Sequence, residues 1–189
     1  MSEHITTRLP LVISGEGVVL HAWRPQLAEE LFEAIDADRQ RLTRAGHWVS
    51  EVHDAEAMRT RLARNQQRRA EGLAAGYLIR SLEVEGQPLV GSVGIFHVVE
   101  ADRRCEIGYW VLGLYEGRGL ITASVRALST ACFCANMHRI ELCCSADNPR
   151  SSAVAERCGF SREGRLRDAH RQGDRWSDDL LYSRLSTDP

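Results

Sequence analysis

From Gly76 the chain sets out three strand-like runs, Tyr77–Val84, Leu89–Val99 and Arg104–Leu112, with only short turns such as Glu85-Gly86 and Glu100-Ala101-Asp102 between them. Runs spaced this closely predict an antiparallel meander. The turn Glu116-Gly117-Arg118-Gly119 then leads into a helical stretch from Thr122 to about Asn136, striped by Val125, Leu128, Ala131 and Cys132. Arg139–Ser145 reads as the next strand, with Ile140, Leu142 and Cys144 alternating against Glu141 and Cys143.

The flanking segments fit the same plan. Val18–Arg24 reads as a strand, and Pro25 opens a helical stretch through Leu27, Leu31, Ile35 and Leu42. A second helix is expected from Asp54, its N-cap, to Ala70, with Gly72 just beyond. After Ser145, Asn148 caps a short helix, Pro149 takes its first position and Gly159 follows its end. Two strands joined at Gln172-Gly173-Asp174 close the chain. The expectation is an α/β (α+β) domain spanning 1–189, with its core over about 9–185. Its mixed, mostly antiparallel sheet has about seven strands and is flanked by about four helices.

Composition narrows the functions. The 189 residues carry a net charge of −2, without the basic excess of a general nucleic-acid binder. No secretory signal and no run of about 18 apolar residues is seen, so the expectation is a cytoplasmic protein without membrane contact. All 24 basic residues are arginine. The six cysteines lack a metal-binding C-x2-C pair and are expected to be buried small hydrophobes, with no metal and no disulfide framework.

A strand, a turn containing Gly117 and Gly119, and a helix make an anion site in principle, because the first N–H groups of a helix lack internal partners. A tight turn that binds nothing explains two glycines equally well. The Walker and dinucleotide patterns are both absent. The wider context is more specific. Glu106-Ile107-Gly108-Tyr109-Trp110-Val111 followed by Glu116-Gly117-Arg118-Gly119-Leu120-Ile121-Thr122 resembles the acetyl-CoA motif of GNAT-superfamily acetyltransferases, most of all the RimJ/RimL-type ribosomal-protein branch. Asn148-Pro149-Arg150-Ser151 with Val154–Phe160 and Glu163-Gly164 is similar to that branch's second signature.

The resemblance implies the GNAT fold, acetyl-CoA as co-substrate and an amine acceptor, foremost the N-terminal α-amine of a ribosomal or other protein. A small amine, or acyl-CoA binding without catalysis, is the alternative, and the fold often comes with homodimers. It also implies that Gly117–Thr122 hold the pyrophosphate, with Val111, Leu112, Glu116, Arg118, Asn148 and Ser151 completing the cofactor site. The strand ending near Leu112 is expected to splay from Arg139–Ser145, leaving a gap for the pantetheine arm. Glu116 departs from the branch, which has Gln or Arg there; a carboxylate beside a pyrophosphate is tolerable only turned away or paired, for instance with Arg118.

Ser151, in the first turn of the Asn148-capped helix, stands where the family positions a hydroxyl beside the CoA sulfur, and is the candidate proton donor. His170 stands where the RimL-like branch has a glutamate that helps deprotonate the amine, and imidazole suits that work at neutral pH. Asp168 faces the other way if its strand is regular. Trp48 and Tyr109 are the candidate acceptor contacts, with His47 and Trp23 as further cleft aromatics; which of Tyr109 and Trp110 faces the cleft stays open.

Overall fold

The computed structural model describes residues 4–45, 47–172 and 175–189, apart from the side chains of Arg44, Ala45, His47 and Gln172. His47 as a cleft aromatic and the Gln172-Gly173-Asp174 turn therefore fall outside the described residues.

The described strands form one sheet in the order β1-β2-β3-β4-β5-β6-β8-β7. They are β1 Val12–Gly15, β2 Val18–Ala22, β3 Ala75–Ser81, β4 Leu89–Val99, β5 Arg104–Val111, β6 Arg139–Ser145, β7 Ser161–Gln172 and β8 Arg175–Leu185. All neighbours are antiparallel except β5 and β6. This is the expected mixed, mostly antiparallel sheet with one strand more. The extra strand, β1, has only four residues on the sheet edge, with Val12 exposed and Gly15 at its end, so it leaves no apolar alternation to read.

The helices are α1 Ile5–Arg8, α2 Ala28–Ala37, α3 Arg39–Ala45, α4 Ala55–Ala70, α5 Leu120–Cys134 and α6 Pro149–Arg157. The single helix expected after Pro25 is broken. A 3-10 turn at Pro25–Leu27 precedes α2, and Asp38 leaves helical geometry at φ −124°, ψ 18° before α3. The break puts the Asp38 carboxylate on the Gly113 N–H, 2.8 Å away, and on the Arg41 guanidinium. Asp54 caps α4 through the Ala57 N–H, and Asn148 caps α6 through the Ser151 N–H.

Apolar side chains cover both faces of the sheet. On one face Val125, Leu128 and Cys132 of α5 and Val154 and Ala155 of α6 pack on Tyr77, Ile79, Ile107, Leu142 and Tyr182. On the other, Leu31, Ile35, Met58 and Leu62 of α2 and α4 meet Leu78 and Leu89. Each buried Leu or Ile contributes about 1.5–3 kcal/mol relative to exposure, so this double layer fixes which strand edges can diverge. Cys105, Cys132, Cys144 and Cys158 are buried as expected, but Cys134 is exposed at the end of α5 and Cys143 is half-buried. Cys143 lies on the face of β6 opposite the α6 layer, together with Glu141 and Ser145, which are half-buried too.

Candidate active site

β5 and β6 pair over only three positions, ending at Glu106 opposite Glu141. Beyond that point β5 runs on to Val111 and β6 to Ser145 without pairing with each other, so the expected splay is present. The edge it opens is polar. Leu112 N–H donates to Val90 O, and strand alternation therefore turns the N–H and C=O of Tyr109 away from β4 and into the gap. The Arg41 guanidinium bonds Val111 O at the gap's upper end.

A cleft of about 830 Å³ opens there, between the turn before α5 and the start of α6. Gly117 and Gly119 both have φ +76°, a left-handed backbone that other residues adopt only with strain, and a Cβ on either would meet nothing within 4 Å. No side chain caps α5, so the N–H groups of its first turn face the cleft with partial positive charge. This open cradle with uncompensated donors fits a diphosphate. Val111, Glu116, Gly117, Arg118, Gly119, Leu120, Ile121, Thr122, Asn148 and Ser151 all line the cleft. Leu112 does not; it packs against the α2–α4 core.

Glu116 is tied down, though not by Arg118. Its carboxylate receives Arg41 Nη1 at 2.7 Å from α3 and the Arg150 guanidinium from α6, so it bridges the two sides of the cleft. Arg118 lies over the Tyr115 ring instead, 5.5 Å from its centroid. Asp38 anchors Arg41 from behind, and that guanidinium holds the Asp38 carboxyl below its usual range. Arg41 and Asp38 were not singled out in the sequence, since nothing local marks them.

The deep end of the cleft holds a hydroxyl pair. Ser151 Oγ, placed by the Asn148 cap, lies 2.7 Å from the Tyr109 hydroxyl, which crosses from β5. Burial pushes the Tyr109 phenol up to about 12, so the pair keeps its protons at neutral pH. The Tyr109 side chain thus lies on the α6 side, and Trp110 is the one packed beneath α2 and α4.

On that second face a pocket of about 360 Å³ reaches from α4 to the backbone of Gly108–Trp110, with Trp48 and Trp23 among its walls. Trp48 meets Trp110 with ring centroids 5.9 Å apart. His170 stands farther along, on the β7–β8 ribbon. Its Nδ1 is 3.0 Å from Asp179 Oδ1, a buried oxygen with no hydrogen-bond partner among the described residues. Asp179 pairs with Ser145, at the splayed end of β6. Asp168 is two residues from His170, so a regular strand would put both on one face, contrary to the expectation; β7 in fact loses register between Leu166 and His170, and Asp168 has φ +49° with its N–H on Asp178 Oδ1. Burial, with Glu106, Asp179 and Glu141 nearby, pushes the Cys143 thiol up to about 12, which leaves it a poor nucleophile.

A family model described as an acetyltransferase (GNAT) domain matches residues 18–161. A putative ribosomal N-acetyltransferase, YdaF of Bacillus subtilis (strain 168), is 32% identical over 98% of this chain and 93% of its own. A ribosomal-protein-serine acetyltransferase of Escherichia coli (strain K12) is 28% identical over 90% of this chain and 94% of its own. Among solved structures, RimL, a ribosomal L7/L12 alpha-N-protein acetyltransferase in complex with coenzyme A, matches with a TM-score of 0.86 at 24% identity, covering 92% of this chain and 97% of that one. With the splayed strands, the glycine cradle and a family match over most of its length, the chain belongs to the GNAT acetyltransferase family.

Proposed function

We propose that this protein transfers the acetyl group of acetyl-CoA to the N-terminal α-amine of a polypeptide. The observation that carries the reading is the Ser151–Tyr109 hydroxyl pair at the inner end of a diphosphate-sized cradle, beside a strand edge whose backbone is free. The relatives named as ribosomal-protein acetyltransferases support the choice of acceptor.

Acetyl-CoA supplies the activated acyl carbon and a thiolate leaving group. The first-turn amides of α5 and the left-handed backbone at Gly117 and Gly119 bind the diphosphate. Tyr109 N–H, fixed in the gap, meets the negative charge that develops on the carbonyl oxygen; preorganised donors of this kind are worth about 3–4 kcal/mol. Ser151 Oγ donates toward the departing sulfur, and Tyr109 holds that hydroxyl in place. His170 accepts the proton the amine loses, with the Asp179 carboxylate 3.0 Å from its Nδ1 to stabilise the imidazolium that forms. Ser151 regains from solvent the proton it gives the sulfur, His170 releases to solvent the one it takes from the amine, and the net products are the amide and the free thiol.

Ser151→Ala tests the reading in a thiol-release assay with N-terminal peptides, with product mass confirming N-acetylation. The expected loss is about 10²-fold in kcat, the lower end for a general acid, with acetyl-CoA affinity kept. Unchanged turnover removes Ser151 from the mechanism.

A further inference from the structure

Three glycines stand in register across adjacent strands: Gly76 of β3 pairs with Gly94 of β4, and Gly94 with Gly108 of β5. They form a track on the sheet face below α4 that carries no side chain of its own. Its ends are closed by aromatic rings lying on the glycines themselves. A Cβ at Gly76 would stand 2.7 Å from the Trp23 ring, and one at Gly108 2.6 Å from the Phe96 ring. Trp23 is pinned there by its indole N–H on Ser92 Oγ, 3.2 Å away. The track is the floor of the 360 Å³ pocket, and it ends on β5 beside the gap where the acyl carbon is attacked.

The opposite wall is cationic. Arg61 and Arg68 of α4 line the pocket, separated by two helical turns and so on one face. Arg61 stacks on Trp48, 5.0 Å from the ring centroid, and its buried Nε has no hydrogen-bond partner among the described residues. Arg61 is 33% exposed, and its one carboxylate partner among the described residues, Glu51, is 3.5 Å away and 72% exposed. Burial pulls the Arg61 guanidinium down from its ordinary value, Glu51 offsets part of this, and Arg64 and Arg68 pull it further. Arg68 has no carboxylate partner among the described residues. This is a desolvated, under-compensated cation on the wall of a cavity. Outside the pocket, Glu106 on β5 and Asp179 on β8 are each 19% exposed and face His97 and His170, both at 3.0 Å.

We propose that this pocket reads an acidic side chain at position 2 or 3 of the acceptor polypeptide, with Arg61 as its partner and Arg68 as reinforcement. The reach agrees. From β5 to β4 is one strand spacing, about 5 Å, and an extended chain advances about 3.3 Å per residue, so an N-terminus held at the gap brings its second or third side chain over β4 at Gly94, in the middle of the track. The inference rests on the reading of the protein as an N-terminal acetyltransferase.

The test is thiol release with peptides that differ only at positions 2 and 3, carrying Asp, Asn or Lys there, plus a phosphate-bearing small amine. Wild type is expected to prefer Asp over Asn by about tenfold or more in kcat/KM, the scale of a hydrogen bond to a charged group. Arg61→Gln brings that ratio to within about twofold of one, and Arg61→Glu reverses it toward Lys. Acetyl-CoA affinity serves as the control for an intact fold, and Arg68→Gln, which leaves the Trp48 stack alone, halves the preference or more. Transfer to all peptides without discrimination overturns this inference and leaves the acetyltransferase reading standing. Transfer to the small amine and to no peptide overturns the polypeptide acceptor, and the inference with it.

Discussion

Replacing Glu116 by Gln removes one negative charge beside the diphosphate cradle while keeping the side chain's size. In the protein that carboxylate is shared between Arg41 and Arg150, on opposite sides of the cleft, and is 30% exposed. It does two things to an incoming diphosphate: it repels it, and it occupies two guanidiniums that the phosphates need. The repulsion can be sized. Two ligand charges at about 6 Å in a water-like dielectric cost about 1.4 kcal/mol unscreened. A Debye length of about 8 Å at 0.15 M salt reduces this to about 0.65 kcal/mol, and one of about 30 Å at 0.01 M leaves about 1.1 kcal/mol. Glu116→Gln should therefore tighten acetyl-CoA binding about threefold at the higher salt and about sevenfold at the lower. Freeing Arg150, itself 82% exposed, adds to the effect in the same direction. The lost ion pairs lie at the surface and cost at most about 1 kcal/mol of stability. Calorimetric titration with acetyl-CoA at the two salt concentrations gives both numbers. Weaker binding by the variant would refute the reasoning, because it would mean that Glu116 positions the arginines for the ligand and does not compete with it. Equal affinity at both salts would refute it too.

Three further outcomes follow from the same geometry. The acidic limb of the kcat/KM profile carries two ionisations, that of the acceptor α-amine, about 7.7–8 for a free terminus, and that of the enzyme's base; in His170→Ala only the amine's should remain, and a limb of unchanged slope excludes His170 as the base. Gly119→Ala should cost about 1–2 kcal/mol in urea unfolding and weaken acetyl-CoA binding, since φ +76° is strained for alanine even though its Cβ has open space; unaltered stability would contradict the assigned backbone. Arg139 and the Ser183 hydroxyl hold Glu163 down at about 2 from an ordinary 4.5, so its stabilising contribution is complete above about pH 4.5 and is lost as pH falls toward 2. With Glu163 40% exposed the effect is screened to no more than about 1 kcal/mol, and the stability gap between wild type and Glu163→Gln should close on acidification; a gap constant down to about pH 2 contradicts it.

The cofactor half of the site was legible because its requirements are local in the chain. A left-handed backbone asks for Gly117 and Gly119, an uncapped helix must follow at once, and Asn148-Pro149 marks the start of α6 whatever packs around it. Those constraints act on the main chain over a few residues, so sequence alone carries them. Arg41 is the contrary case: it joins the cleft only because α2 breaks at Asp38, and the apolar spacing of Leu31, Ile35 and Leu42 runs across that break without a sign of it. β7 was hard for a related reason. Its sequence, polar nearly throughout, gives no alternation, and the register slip that brings His170 to Asp179 depends on pairing with β8.

The acceptor half is different again, because its signal was present only in part. Paired residues in an antiparallel hairpin lie equally far from its turn. Gly76 and Gly94 each stand nine residues from Glu85, and Gly94 and Gly108 each seven from Ala101, which are the two turns the sequence itself marks. The pairs nearest those turns, Arg80 with Leu89 and Val99 with Arg104, stand one residue out of that count, and register shifts beside Ile79 and Phe96 bring the three glycines side by side, with the Trp23 and Phe96 rings lying on the outer two. α4 passes over that track with Arg61 and Arg68 turned inward, where an apolar residue would have closed the floor by burial. Retaining the partly desolvated Arg61 there costs stability that a Leu or Met at the same position would recover. That cost is explicable if the arginines meet an anion during turnover, and the ratio of Asp to Asn acceptors in wild type and Arg61→Gln measures that encounter directly.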